Sequence, residues 1–216
     1  LEIMGWFAAI LAWGQRKTII NKCKELITRM DGNPYAFIIK PEGSHLMRLK
    51  GFVHRTFNEE DLLRTVYFLR NAYTHHEGLE NLFSSAINKN DLTVEKGLNT
   101  FQNIFKEYAG GKTRTLKHIS SPQSGSACKR LNMYLRWMVR KEGIDFGIWK
   151  SIQTSQLICP CDVHVVRVAT KLALLKARSI NWSAAVDLTD NLKTFDSSDP
   201  VKYDFALFGM GIEGII

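Results

Sequence analysis

A chain of 216 residues with 45% hydrophobic content is long enough to bury one globular core, or the shared core of two small lobes, which excludes a disordered chain. Its apolar run from Ile3 to Trp13 is about half of the ~20 residues needed to cross a bilayer, and no cleavable signal peptide is legible, so no membrane partner and a cytoplasmic location are expected. The net charge of +8 favours polyanionic partners, and where that charge sits matters more than its total.

Apolar residues recur at three- and four-residue spacing in most long segments, with little alternation, which predicts an all-α fold. Helices are expected at about 2–13, 17–30, 59–74, 77–87, 93–108, 126–142, 162–176, 182–195 and 200–209. The pattern is already helical at Leu1, so natural sequence is expected before it. Gly32 to Thr56 is rich in turn residues (Gly32, Asn33, Pro34, Pro41, Gly43, Gly51) and reads as a long connection. Asn58 before Glu59-Glu60-Asp61, and Asp199 before Pro200, each supply a cap or a favoured first-turn residue. Gly110-Gly111-Lys112 breaks the chain just ahead of a basic region.

That region carries most of the charge. Residues 111–150 hold nine Lys or Arg against Glu142 and Asp145, a net +7, and leave the rest of the chain nearly neutral. Such a cluster gains affinity for phosphate through counterion release. Four cysteines (Cys23, Cys128, Cys159, Cys161) without an export signal are expected as reduced thiols. No metal is assigned: Cys159-x-Cys161 is too sparse for a zinc site, and His75, His76 and Glu77 are adjacent residues on different helix faces.

Inside the basic region, Lys129 lies in Ser124-Gly125-Ser126-Ala127-Cys128-Lys129-Arg130-Leu131-Asn132-Met133-Tyr134-Leu135, and Asp162 lies in Pro160-Cys161-Asp162-Val163-His164-Val165-Val166-Arg167. A turn running into a helix presents backbone N–H groups to phosphate, and glycine lets the backbone approach closely. These two segments resemble the helix-hairpin-helix DNA glycosylase superfamily, in which a glycine-rich hairpin precedes the helix bearing a lysine and a Pro-x-Asp-x-His-Val-like turn supplies an acid. The chain is most similar to an uncharacterised bacterial family at the edge of that superfamily. Phe7 to Lys22 looks like the superfamily's early helix, loop and next helix, with Gln15 and Arg16 where the DNA gap is filled.

The resemblance implies a two-lobed helical helix-hairpin-helix glycosylase-like fold with an interlobe cleft. Lobe A would comprise about 1–30 plus 143–216 and lobe B about 57–142, with about 111–142 facing DNA. It implies Lys129 as the amine nucleophile and Asp162 as the acid that stabilises charge on the sugar. Ser124, Gly125, Ser126, Arg130, His164 and Arg167 would contact nucleic acid. Gly125 keeps the hairpin's first glycine, whereas Ser124 and Ala127 replace its proline and second glycine.

The 32 residues between Lys129 and Asp162 exceed the endonuclease III type and look like the archaeal 8-oxoguanine glycosylase branch. The inserted stretch, Gly143 to Ile158, would reshape the base pocket and bring Trp149 to it. No cysteine follows Cys161, so the superfamily's iron–sulfur cluster is not expected; nor is any other cofactor, and a monomer acting on damaged duplex DNA is. The residues alone leave other readings open. Lys129 on a basic helix also reads as a solvated cation or phosphate contact, and Asp162 as an ordinary N-cap. A noncatalytic nucleic-acid-binding protein on the same fold, or a helical protein-interaction module, would carry the same residues.

Overall fold

The computed structural model describes residues 1–41, 43–110, 113–176 and 179–214. The fold is predominantly helical, and one two-stranded hairpin is the only sheet among the described residues. Two compact units are distinguished, Leu1–Ser85 with Thr100–Ile119, and Ala86–Asn99 with Ser120–Ile216. No helix among the described residues is long and apolar enough to cross a membrane.

The first unit begins with α1 (Glu2–Ile10), α2 (Arg16–Arg29) and α3 (Pro34–Ile39). A 3-10 turn over Ser44–Leu49 leads into β1 (Val53–His54), which pairs antiparallel with β2 (Phe57–Asn58). Then come α4 (Glu59–His75), α5 (Leu79–Ser84), the later part of α6 (Glu95–Tyr108) and α7 (Thr113–Leu116). Its core is aromatic: Trp6 lies 5.0 Å from Phe101, Phe68 lies 5.0 Å from Phe105, and Phe83 stacks on Phe101 at 3.9 Å.

The grouping of the chain differs from the expected lobes, because residues 1–30 belong with 31–85 and 100–119. The reason is visible in α1, which packs on α2 and α3 and sends Trp6 against Phe68 and Phe101.

Each of the nine expected helices has a counterpart, with shifted ends. The Asn58 cap forms as expected: its side chain accepts from Asp61 N at 3.2 Å while Asp61 accepts from Asn58 N at 3.0 Å. The stretch 32–56 is more ordered than a long connection. Asn33 caps α3 through Ala36 N at 3.1 Å, Phe37, Ile38, Leu49 and Phe52 are buried, and the Arg29 guanidinium binds the carbonyls of Arg48 and Lys50 at 2.7 and 2.8 Å. Turn residues there mark joints between short elements. Of the break expected at Gly110-Gly111-Lys112, Gly111 and Lys112 lie outside the described residues.

The second unit contains α8 (Lys129–Val139), α9 (Val163–Lys171), α10 (Trp182–Lys193) and α11 (Asp204–Glu213). Helix α8 starts three residues later than the expected 126, because Ser126 bridges to Asn181 and Cys128 takes a positive φ of 49°. A 3-10 turn over Pro200–Tyr203 begins at Asp199, whose carboxylate makes no cap bond and instead accepts from Arg140 Nε at 2.8 Å.

That last bond belongs to a buried ion cluster. Arg136 binds Asp204 at 2.7 Å and Asp145 at 3.4 Å, and Arg140 binds Asp145 at 2.7 Å and also Glu142. Arg136 and Arg140 are 2% and 3% exposed, so two of the nine cations of the basic region are interior charges, not part of a phosphate-facing stripe.

Candidate active site

The site is assembled from helix ends within the second unit. Lys129 is the first residue of α8, and its Nζ donates to Asp162 Oδ2 at 2.7 Å. Asp162 is the N-cap of α9, where its other oxygen accepts from His164 N and Val165 N at 2.9 and 3.0 Å. One carboxylate thus serves both a helix terminus and the amine. Burial alone would raise the Asp162 pKa, but the Lys129 bond, the two amides and the lysine's charge outweigh it and hold the carboxyl below its usual range.

Beside the pair lies a pocket. Helix α8 contributes Lys129, Met133 and Trp137 to its lining, residues four apart that share one helical face. Helix α11 contributes Asp204, Phe205 and Phe208, and Pro160 completes the wall. Lys129 Nζ lies 5.0 Å from the Phe208 ring centroid, and the Arg136 guanidinium lies 4.1 Å from that of Phe205. Asp204 is 7% exposed; burial raises its pKa, against the opposing pull of Arg136. The arrangement provides an amine, a paired carboxylate, a second buried carboxyl and aromatic faces around one opening.

Several expected residues take other positions. Trp149, expected at a base pocket, is 2% exposed and packs edge-on against Tyr134 at 5.3 Å. The inserted stretch is held to the end of α8 by Phe146 N to Trp137 O and Trp149 N to Met138 O, at 2.7 and 2.9 Å, which turns the indole into the core. Gly125 has a positive φ of 76° with open space where a side chain would be, so its role is conformational.

In the same turn, the Ser124, Gly125 and Cys128 amides donate to Ser121 O, Pro122 O and Ser126 Oγ. Ser124 Oγ also donates to Ser121 O at 2.7 Å, and Ser126 pairs with Asn181. Arg130 is half-buried on α8. His164 sets its ring edge-on to Phe208 at 6.1 Å, and Arg167 donates to Gly211 O, so both tie α9 to α11.

Gln15 and Arg16 are exposed at the start of α2 in the first unit. Cys128, Cys159 and Cys161 are buried free thiols, and no group of three or more His, Cys, Asp or Glu side chains among the described residues is arranged to hold a metal.

Sequence reading counted Trp137 among five tryptophans able to stack a base but favoured Trp149, and it missed Met133, Phe205, Phe208 and Asp204. The four-residue spacing of Lys129, Met133 and Trp137 was a usable signal, since it puts them on one face. The α11 residues gave none, being about 75 positions away along the chain. No curated protein and no solved structure matches the chain. The family model for a protein of unknown function (DUF2400) matches residues 1–213, and the chain belongs to that family.

Proposed function

We propose that this protein is a DNA-repair glycosylase with abasic-site lyase activity, built on a helix-hairpin-helix glycosylase-like fold and acting as a cytoplasmic monomer on damaged duplex DNA. The observation that carries the reading is Lys129 Nζ at 2.7 Å from Asp162 Oδ2, beside a pocket with aromatic walls. An amine attacks only when it has shed its proton, and Asp162 Oδ2 is the nearest acceptor. Lys129 then bonds to the anomeric carbon as the glycosidic bond breaks and the base departs with its electron pair. Ring opening gives an iminium, loss of a C2′ proton expels the 3′ phosphate, and hydrolysis frees the lysine. Trp137, Phe205 and Phe208 replace Trp149 as the faces on which a displaced base would stack, an oxidised purine being the substrate first tested.

Borohydride reduction on duplexes bearing an abasic site or 8-oxoguanine tests the reading. A covalent protein–DNA adduct should form with wild type and vanish in Lys129→Ala. The competing reading is a noncatalytic nucleic-acid-binding protein on the same fold. It is favoured by the amides of Ser124, Gly125 and Cys128 being engaged within their own turn, and by an ion pair that also serves to join α8 to α9. Salt-sensitive binding with no adduct and no base release on any substrate would select it; no affinity for nucleic acid would select a protein-interaction module instead.

A further inference from the structure

The β1–β2 hairpin of the first unit carries an arrangement of arginines that the chemistry at Lys129 does not use. Its tip is Arg55-Thr56, both exposed, and Arg55 adopts a φ of 55°. Two-residue hairpin turns favour Gly, Asn or Asp where φ is positive, so an arginine there sits in a backbone well that a smaller residue would occupy with less strain. Backbone strain retained at an exposed tip asks for a reason in the side chain.

That side chain is held in place from below. The Arg55 guanidinium carbon lies 5.2 Å from the Trp13 ring centroid. Gly14, at φ 99°, admits the arginine, since a Cβ there would come within 2.8 Å of Arg55 Nη1. Beneath both, His54 is 2% exposed with its Nε2 3.3 Å from Trp13 O, which fixes the α1–α2 loop to the hairpin.

A second guanidinium joins from α7, where Arg114 Nη2 donates to Thr56 O at 3.0 Å and leaves its side chain 47% exposed. Arg16 and Lys17 follow two and three residues after Gly14, both exposed, in a first helical turn with no acidic residue. Arg114 has Asp61 at 3.6 Å; among the described residues no carboxylate pairs with Arg55, Arg16 or Lys17. A guanidinium fork that no carboxylate neutralises, as at Arg55 and Arg16, is free to bind phosphate oxygens through paired N–H donors.

We infer that the tip of the β1–β2 hairpin, with Arg55 stacked on Trp13 and flanked by Arg16, Lys17 and Arg114, is a binding site for the phosphodiester backbone of a nucleic acid. The site lies wholly in the first unit and stands whether or not Lys129 is a nucleophile.

Fluorescence anisotropy over a sodium chloride series, using short undamaged duplex DNA, single-stranded DNA and RNA as separate probes, tests it. Arg55→Asn removes the charge while keeping a residue that tolerates positive φ. It should reduce the slope of log K against log salt by about 0.9 on duplex DNA, or about 0.7 on a single strand, with binding weakened several-fold. Arg55→Lys should keep the slope and lose part of the affinity, and Lys40→Asn, an exposed lysine elsewhere in the first unit, should change neither.

The probe on which Arg55 moves the slope identifies the nucleic acid. If Arg55→Asn does not fold by circular dichroism, Arg16→Gln with Lys17→Gln makes the same test on exposed side chains. An unchanged slope in the folded variants would overturn the inference. So would competition by polyglutamate as effective as that by DNA, which would assign the site to an acidic protein surface.

Discussion

Asp162 divides its two carboxylate oxygens between two tasks: Oδ2 accepts from Lys129 Nζ at 2.7 Å, and Oδ1 accepts from the His164 and Val165 amides in the first turn of α9. The cap fixes the carboxylate, and the carboxylate in turn fixes the amine at the start of α8. Substitutions at this residue therefore separate structure from chemistry.

Asparagine caps helices about as well as aspartate, so Asp162→Asn should stay within ~1 kcal/mol of wild-type stability while losing the charge that partners Lys129. Asp162→Ala removes cap and charge together and should cost ~1 kcal/mol more in urea denaturation. If the proposed chemistry holds, both variants form the borohydride adduct at least about tenfold more slowly, a loss of ~1.4 kcal/mol in barrier terms. Equal adduct yields from wild type and Asp162→Asn would remove the acid from the mechanism.

The ion pair also sets a pH dependence. Because the folded-state pKa of Asp162 lies below the ordinary carboxylate value of about 3.9, its contribution to stability is complete above that value and disappears as pH falls through the folded pKa. The stability difference between wild type and Asp162→Asn should be constant from neutral pH to about 5 and shrink below about 4. Urea titrations of both proteins across that range measure it, and a difference that grows on acidification would contradict the assignment.

Arg136 should behave as an interior charge. It is 2% exposed between Asp204 and Asp145, so Arg136→Met strands the buried Asp204 carboxylate, leaves Asp145 to Arg140 alone, and should destabilise the protein by ~3–5 kcal/mol. Arg130→Gln, on the same helix, should cost less than half as much. Thermal denaturation of the two variants makes the comparison.

The pocket and the core should respond in opposite ways to loss of an aromatic. Trp149→Ala is expected to cost ~3–5 kcal/mol, as for a fully buried ring packed on Tyr134. Phe208→Leu, at the half-buried pocket wall over Lys129, should cost under ~1.5 kcal/mol and fall mainly on adduct formation if the proposed chemistry holds. A Phe208→Leu protein that traps normally would detach that wall from the reaction.

Thiol reactivity offers a check independent of DNA. Burial pushes Cys128 up to about 11 despite its hydrogen bonds with Ser120 and Ser126, and Cys159 is raised by its hydrogen bond with the Cys161 thiol and by burial. Titration with a disulfide reagent at pH 8 should reach at most Cys23 in the native protein, whereas all four react in guanidinium.

The helices were legible because each writes its apolar spacing locally. The Asn58 cap and the placing of Lys129 and Asp162 at helix starts needed only the residues on either side. Helix ends were less so: Asn181, 55 positions from Ser126, delays α8 by pairing with it.

What the sequence by itself determined is the helical class, the Asn58 cap and the position of Lys129 and Asp162 at helix starts, since these follow from short-range periodicity and hydrogen bonding. Only the tertiary structure decided which charges are spent inside. Arg136 and Arg140 read as part of a basic surface until the nearby Asp145 folds back on them and Asp199 and Asp204 arrive from elsewhere in the chain. It also exchanged Trp149 for Phe205 and Phe208 at the pocket, and put Arg55 over Trp13. Burial and ion pairing are sums over neighbours in space, and a side chain's neighbours in space are mostly not its neighbours in sequence.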